Sequence, residues 1–182
     1  MEYVQTLEPG EFTLADLDAL PDDGMQYELV DGILLVTPSP TPLHQRATLK
    51  FAMALAAGCP EDLEVFVAPL DFRPTSQRSL QPDVLVCRRE DVGPRAIERP
   101  LLLAVEILSP PTRSKDLLLK RALYEEAGVM SYWIFDPARQ ELTVLELSAG
   151  RYVWQAVVRG GDEVFEAKLP YPVRIVPADF VR

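Results

Sequence analysis

Short apolar blocks, several of them alternating with polar residues, recur along this chain and are interrupted by two longer stretches with helical spacing. "YELVDGILLV" reads as a hairpin, two β-rich arms about Asp31-Gly32, a dipeptide favoured in two-residue turns. Thr13 and Asp16 form a capping-box-like start to a short helix that ends before Pro21. Thr41 caps a second helix with Pro42 in its first position and Gly58 as its stop, and Leu43, Ala47, Phe51, Ala54 and Leu55 form its core stripe. Strands are predicted at "LEVFVAP", "PDVLVC" and "LLLAVEIL". A helix from about Ser114 to Ala127, closed by Gly128, precedes "MSYWIFD", "ELTVLEL" and "YVWQAVV". The order predicts an α+β chain: a central, mostly antiparallel mixed sheet with the Pro42 and Ser114 helices packed on it.

One position breaks the apolar pattern. In "LLLAVEIL" strand alternation sets Glu106 on one face with Leu102, Ala104 and Leu108, so a carboxylate points where its neighbours are apolar. An ionised group there needs a cation, a metal or several hydrogen bonds. Asp83, opening "PDVLVC", shares its face with Leu85 and Cys87, and Glu28 lies within the hairpin. Two neighbouring strands that present carboxylates to one point repel unless a divalent cation lies between them, and hard oxygen ligands suit Mg²⁺ or Mn²⁺.

Composition narrows the setting. The 182 residues, 48% hydrophobic and 25% charged, suit one folded domain over 1–182 rather than a disordered chain. No apolar run reaches membrane-spanning length and the start lacks a secretory pattern, which predicts a cytoplasmic protein with no membrane partner. Cys59 and Cys87 are read as reduced thiols, too few for a zinc site. The net charge of −10 argues against a general nucleic-acid coat, yet from Arg73 to Arg121 ten cations face six anions.

The residues also resemble a family. "PD" at Asp83, "VEIL" at Glu106 and a following helix with a Lys look like the PD-(D/E)XK nuclease superfamily. "YELVDGILLVTPSPTPLHQRA", "QPDVLV", "VEILSPPTRSKDLLLKRALYEEAGVMSYWIFDP" and "LPYPVRIVPADF" resemble its Uma2 (DUF820) branch from about Tyr27 onward. The resemblance implies a restriction-endonuclease-like α/β/α core and a Mg²⁺- or Mn²⁺-dependent endonuclease acting on nucleic acid, DNA above all. It implies a metal held by Asp83, Glu106 and the backbone carbonyl of Ile107, with Glu28 and Lys120 completing the catalytic set. His44, Asp116 and Arg113 are assigned to binding or orienting substrate, His44 through Glu28 or the substrate itself.

The superfamily's Lys stands two residues after the second acid, where this chain has Leu108. In the branch it resembles, that Lys moves to the helix, where Asp116 and Lys120 match a D-x-x-x-K element. On spacing alone the same two residues make a surface i, i+4 ion pair. Tyr124 and Trp133 fall in apolar patterns and are read as core. Two other functions fit the residues: a non-catalytic DNA-binding or interaction module of the same fold, and a phosphodiesterase of small molecules. A homodimer is expected, since cutting both strands commonly takes two sites, with the strands around Trp154 and Val157 as its interface.

Overall fold

The computed structural model describes residues 10–21, 23–37, 39–109 and 116–182, with residues 116 and 117 described by their backbone only. A short helix α1 (Leu14–Asp18) is closed at its start by a capping box between Thr13 and Asp16. Strands β1 (Gln26–Val30) and β2 (Ile33–Thr37) form the expected hairpin, with Asp31 at φ 49° and Gly32 at φ 82°. Positive φ at both turn positions matches the right-handed twist of the arms.

Helix α2 (Pro42–Ala56) is followed by β3 (Leu63–Val67), β4 (Asp71–Thr75), β5 (Arg78–Leu80), β6 (Val84–Arg88), β7 (Ala96–Ile97) and β8 (Leu103–Ile107). A π-helical turn, Asp116–Lys120, runs into helix α3 (Arg121–Glu126). The chain continues through β9 (Ser131–Asp136), β10 (Glu141–Ser148), β11 (Arg151–Val158), β12 (Phe165–Ala167) and β13 (Val173–Ile175). The expected Ser114 start of the second long helix lies outside the described residues.

Where one central sheet was expected, the strands form three: two larger mixed sheets and a two-stranded β12-β13 ribbon. A six-stranded mixed sheet has the order β11-β10-β9-β8-β6-β3, with β8 and β9 parallel and every other pair antiparallel. The hairpin belongs to a second, five-stranded sheet ordered β2-β1-β5-β4-β7, in which β5 and β7 are too short, and β4, with a Pro at its fourth position, too irregular, to be read from sequence. On one face of the larger sheet, Ala47, Phe51 and Leu55 of α2 pack with Val84, Val105, Trp133 and Phe135, and Phe180 stacks on Phe51. On the other face, Leu123 and Tyr124 of α3 meet Leu85, Ala104 and Tyr132, together with Phe72 and Leu80 of the smaller sheet. Leu43, assigned to the stripe of α2, is 37% exposed because it occupies the first turn of the helix, beyond the residues that meet the sheet. Among the described residues no helix is long and apolar enough to cross a membrane. Cys59 and Cys87 are both free thiols.

Candidate active site

The antiparallel register of β6 and β8 pairs Val84 with Val105, so the next position sets Asp83 opposite Glu106 on one face of the larger sheet. Their strands are apolar because both faces are covered, and the two carboxylates interrupt that pattern at 6% and 3% exposure. The Asp83 carbonyl accepts from the Ala68 N–H at 3.2 Å, which fixes the residue just before β6 begins. Its carboxylate Oδ2 accepts from the Ile107 N–H at 2.7 Å and lies 3.2 Å from His44 Nε2. His44 reaches it from the first turn of α2, where the His44 N–H is capped by Thr41 Oγ1 and Nδ1 lies 3.5 Å from Thr48 Oγ1.

Glu106 is met from the side of α3. Lys120 Nζ donates to Glu106 Oε1 at 2.8 Å, and the Tyr124 hydroxyl donates to the same oxygen at 2.6 Å. Lys120 Nζ also lies 3.0 Å from Glu28 Oε1, which accepts from the Gln81 N–H at 2.8 Å. Glu28 comes from β1, in the smaller sheet, so one ammonium joins carboxylates from two sheets. Burial of the Tyr124 ring, reinforced by the charges of Glu106 and Glu28, pushes its phenol well above the ordinary range. The phenol therefore stays protonated and is a permanent donor to Glu106.

The surface-pair reading of Lys120 does not survive: the side chain is 5% exposed and faces inward. Helical spacing explains how, since Lys120 and Tyr124 lie four residues apart and share one face. The side chain of Asp116 and the whole of Arg113 lie outside the described residues. His44, expected to orient Glu28 or the substrate, stands against Asp83 and Thr48. Sequence reasoning placed Tyr124 in the core, which is correct for the ring, but missed its hydroxyl. Its place one turn after Lys120 was the available signal. The Gln81 N–H is a backbone contact that no residue type announces.

Residues 14–172 match the profile of Uma2, a family described as "Putative restriction endonuclease". The fold is similar to a crystal structure of a "putative nuclease belonging to DUF820" from Anabaena variabilis ATCC 29413, with a TM-score of 0.69 and 18% sequence identity, covering 86% of this chain and 89% of that one. No curated protein matches the chain. With all but its two ends inside the matched span, the chain belongs to the Uma2 family.

Proposed function

We propose that this chain is a cytoplasmic, metal-dependent endonuclease that hydrolyses phosphodiester bonds of nucleic acid, DNA above all. The observation that carries the reading is the pairing of Asp83 opposite Glu106 with the Lys120 ammonium 2.8 Å from Glu106. A structural role alone is poorly served by this arrangement, since apolar residues of similar size would avoid burying several charges.

The donor set suits a hard divalent cation. Among the described residues no three His, Cys, Asp or Glu side chains converge as a metal site. Mg²⁺ and Mn²⁺ need fewer, because Mg²⁺ usually keeps several waters beside one or two carboxylates. Asp83 and Glu106 would hold the ion, joined by the Ile107 carbonyl. In an extended strand the N–H and C=O of one residue face the same edge, and the Ile107 N–H already faces Asp83. When bound, the ion supplies a water of lowered pKa and positive charge for the phosphate in the transition state.

The remaining work falls to the chain. Ile107 and His44 orient Asp83, and Tyr124 orients Glu106. Lys120, fixed between Glu28 and Glu106, places an ammonium where negative charge grows on the phosphoryl oxygens. A homodimer with one centre for each strand of a duplex belongs to the same proposal.

The experiment is cleavage of single-stranded and duplex DNA with Mn²⁺ or Mg²⁺, run beside Asp83→Asn and Glu106→Gln. Metal-dependent cutting by the parent chain, lost in both variants, is the expected result. Binding of DNA without cutting by a folded, metal-supplied protein would replace it with the non-catalytic module. Turnover confined to small phosphodiesters would replace it with the small-molecule enzyme.

A further inference from the structure

The face of the larger sheet that carries Glu106 continues past it. Register pairs Glu106 with Ile134, Ile134 with Thr143 and Thr143 with Val157, so one row of side chains crosses from β8 to β11 on a single face. With strands ~4.8 Å apart, the row spans about 14 Å. Trp154 lies on the same face one register step away, opposite Leu145. Trp154 is 61% exposed, whereas Trp133, the chain's other Trp, is fully buried. A recess of about 300 Å³ opens here, with Leu108 and Ile134 at the Glu106 end and Val157 and Trp154 at the other.

One cation meets the ring and two more line the recess beside it. The Arg121 guanidinium lies 5.9 Å from the Trp154 ring centroid. Arg139 and Arg159 border the recess with side chains 65% and 73% exposed. Arg159 directs Nε to Glu141 at 2.9 Å, and Arg139 stands 3.7 Å from Asp136, so each acid of the recess is already turned to an Arg. Arg121, Arg139 and Arg159 against Asp136 and Glu141 leave a local balance of +1 beside an exposed indole, in a chain of net charge −10.

We propose that Trp154 is a stacking subsite for one unpaired base of the nucleic acid whose phosphate lies at Asp83 and Glu106, with Arg121, Arg139 and Arg159 receiving the adjoining phosphates. The proposal rests on the endonuclease reading for its direction along the strand. Its chemistry is that of single-strand binding: an aromatic face accepts any base, and a guanidinium on the ring adds a cation–π contact. An unpaired base is the occupant favoured over a base pair, because a ring within a duplex already has stacking neighbours on both sides. The alternative occupant is a second copy of this chain, since Trp154 and Val157 also mark the expected subunit interface.

The test measures binding without cleavage. A labelled single-stranded oligonucleotide and the matching duplex are titrated in EDTA, with anisotropy as the readout. Trp154→Ala is expected to weaken single-strand binding roughly 5- to 150-fold, the loss of one stacked base, and to leave duplex affinity unchanged. Trp154→Tyr should restore most of the loss. Arg159→Ala should flatten the dependence of log K on log salt by about 0.7, the value for one phosphate contact to a single strand. A melting temperature equal to the parent's verifies folding of each variant. Unchanged single-strand affinity in folded Trp154→Ala overturns the subsite, as does sedimentation showing that this substitution turns a dimer into a monomer. Stacking without any metal-dependent cleavage sinks the endonuclease reading and leaves the subsite standing.

Discussion

Lys120 Nζ lies 2.8 Å from Glu106 Oε1, joining residues fourteen positions apart in the chain and both nearly sealed from solvent. The same ammonium is 3.0 Å from Glu28, so its removal leaves two buried carboxylates facing each other. Lys120→Ala is therefore expected to lower stability by about 3–5 kcal/mol, the cost of breaking a buried pair by deleting one partner. A surface i, i+4 pair would cost a few tenths of a kcal/mol. Cleavage by the same variant, assayed under conditions where it stays folded, should fall by two or more orders of magnitude, in line with the ~2.7–4 kcal/mol lost with one electrostatic stabiliser. Lys120→Arg should rescue little, because a planar fork cannot replace a compact ammonium between two carboxylates. Denaturant melts and rates measured on the same preparations decide the matter: a parent-like rate in folded Lys120→Ala removes Lys120 from the chemistry.

Tyr124→Phe isolates a single contact. The ring keeps its packing against Phe72 and Tyr132, and only the hydroxyl that donates to Glu106 is deleted. Hydrogen bonds to charged groups are worth about 1.5–3 kcal/mol, so stability should drop by that amount. Cleavage should fall through kcat more than KM, since Glu106 loses orientation while the substrate surface is untouched. A kcat equal to the parent's would restrict Tyr124 to packing.

Much of this arrangement is legible in the sequence, and the limits have physical causes. Glu106 announces itself because a charge inside an apolar strand is costly, and Asp83 because alternation sets it toward Leu85. The hairpin is legible from Asp31-Gly32. The smaller sheet is not, because β5 and β7 are short and the sheet is assembled by β5 pairing with β1 and β4 with β7, segments well apart in the chain. Lys120 is ambiguous along the chain, since its burial depends on α3 lying against a face of the larger sheet that the helix itself does not encode. Of the partners Glu106 needs, a cation, a metal or several hydrogen bonds, the sequence points to a metal, and its Oε1 also accepts from Lys120 and Tyr124, both contributed by the helical segment that follows. His44 could be placed at a helix start by Thr41, but its approach to Asp83 comes from the crossing of α2 over the sheet.

Acid stability tests the seam between α3 and β11. Glu125 accepts from the Tyr152 N–H and, second, from Arg151 at 2.9 Å, and these hold its carboxyl below the ordinary 4.5. A carboxyl with a depressed folded pKa contributes stability that is complete above its unfolded value and is lost as pH falls through the folded one. The parent chain should lose this contribution on passing from about pH 5 toward pH 3, while Glu125→Gln, already without the charge, should show a shallower fall in melting temperature over that window. Parallel curves for the two proteins would show that the seam carries no linked proton.

Metal linkage tests the two carboxylates directly. An ion that binds only the folded chain stabilises it by mass action, about 1.4 kcal/mol at ten times its Kd, which for a chain of this size raises the melting temperature by roughly 3–6 °C. Mn²⁺ should produce that rise in the parent, and Asp83→Asn or Glu106→Gln should remove it, because each deletes one hard oxygen ligand. Lys120→Ala separates ligand from competitor. Its ammonium already rests on Glu106, so deleting it leaves the ligand set intact and removes a cation that opposes the ion. The Mn²⁺-induced rise in folded Lys120→Ala should then equal or exceed the parent's, even as cleavage is lost. A rise that vanishes with Lys120 while surviving Asp83→Asn would place the ion somewhere other than between β6 and β8.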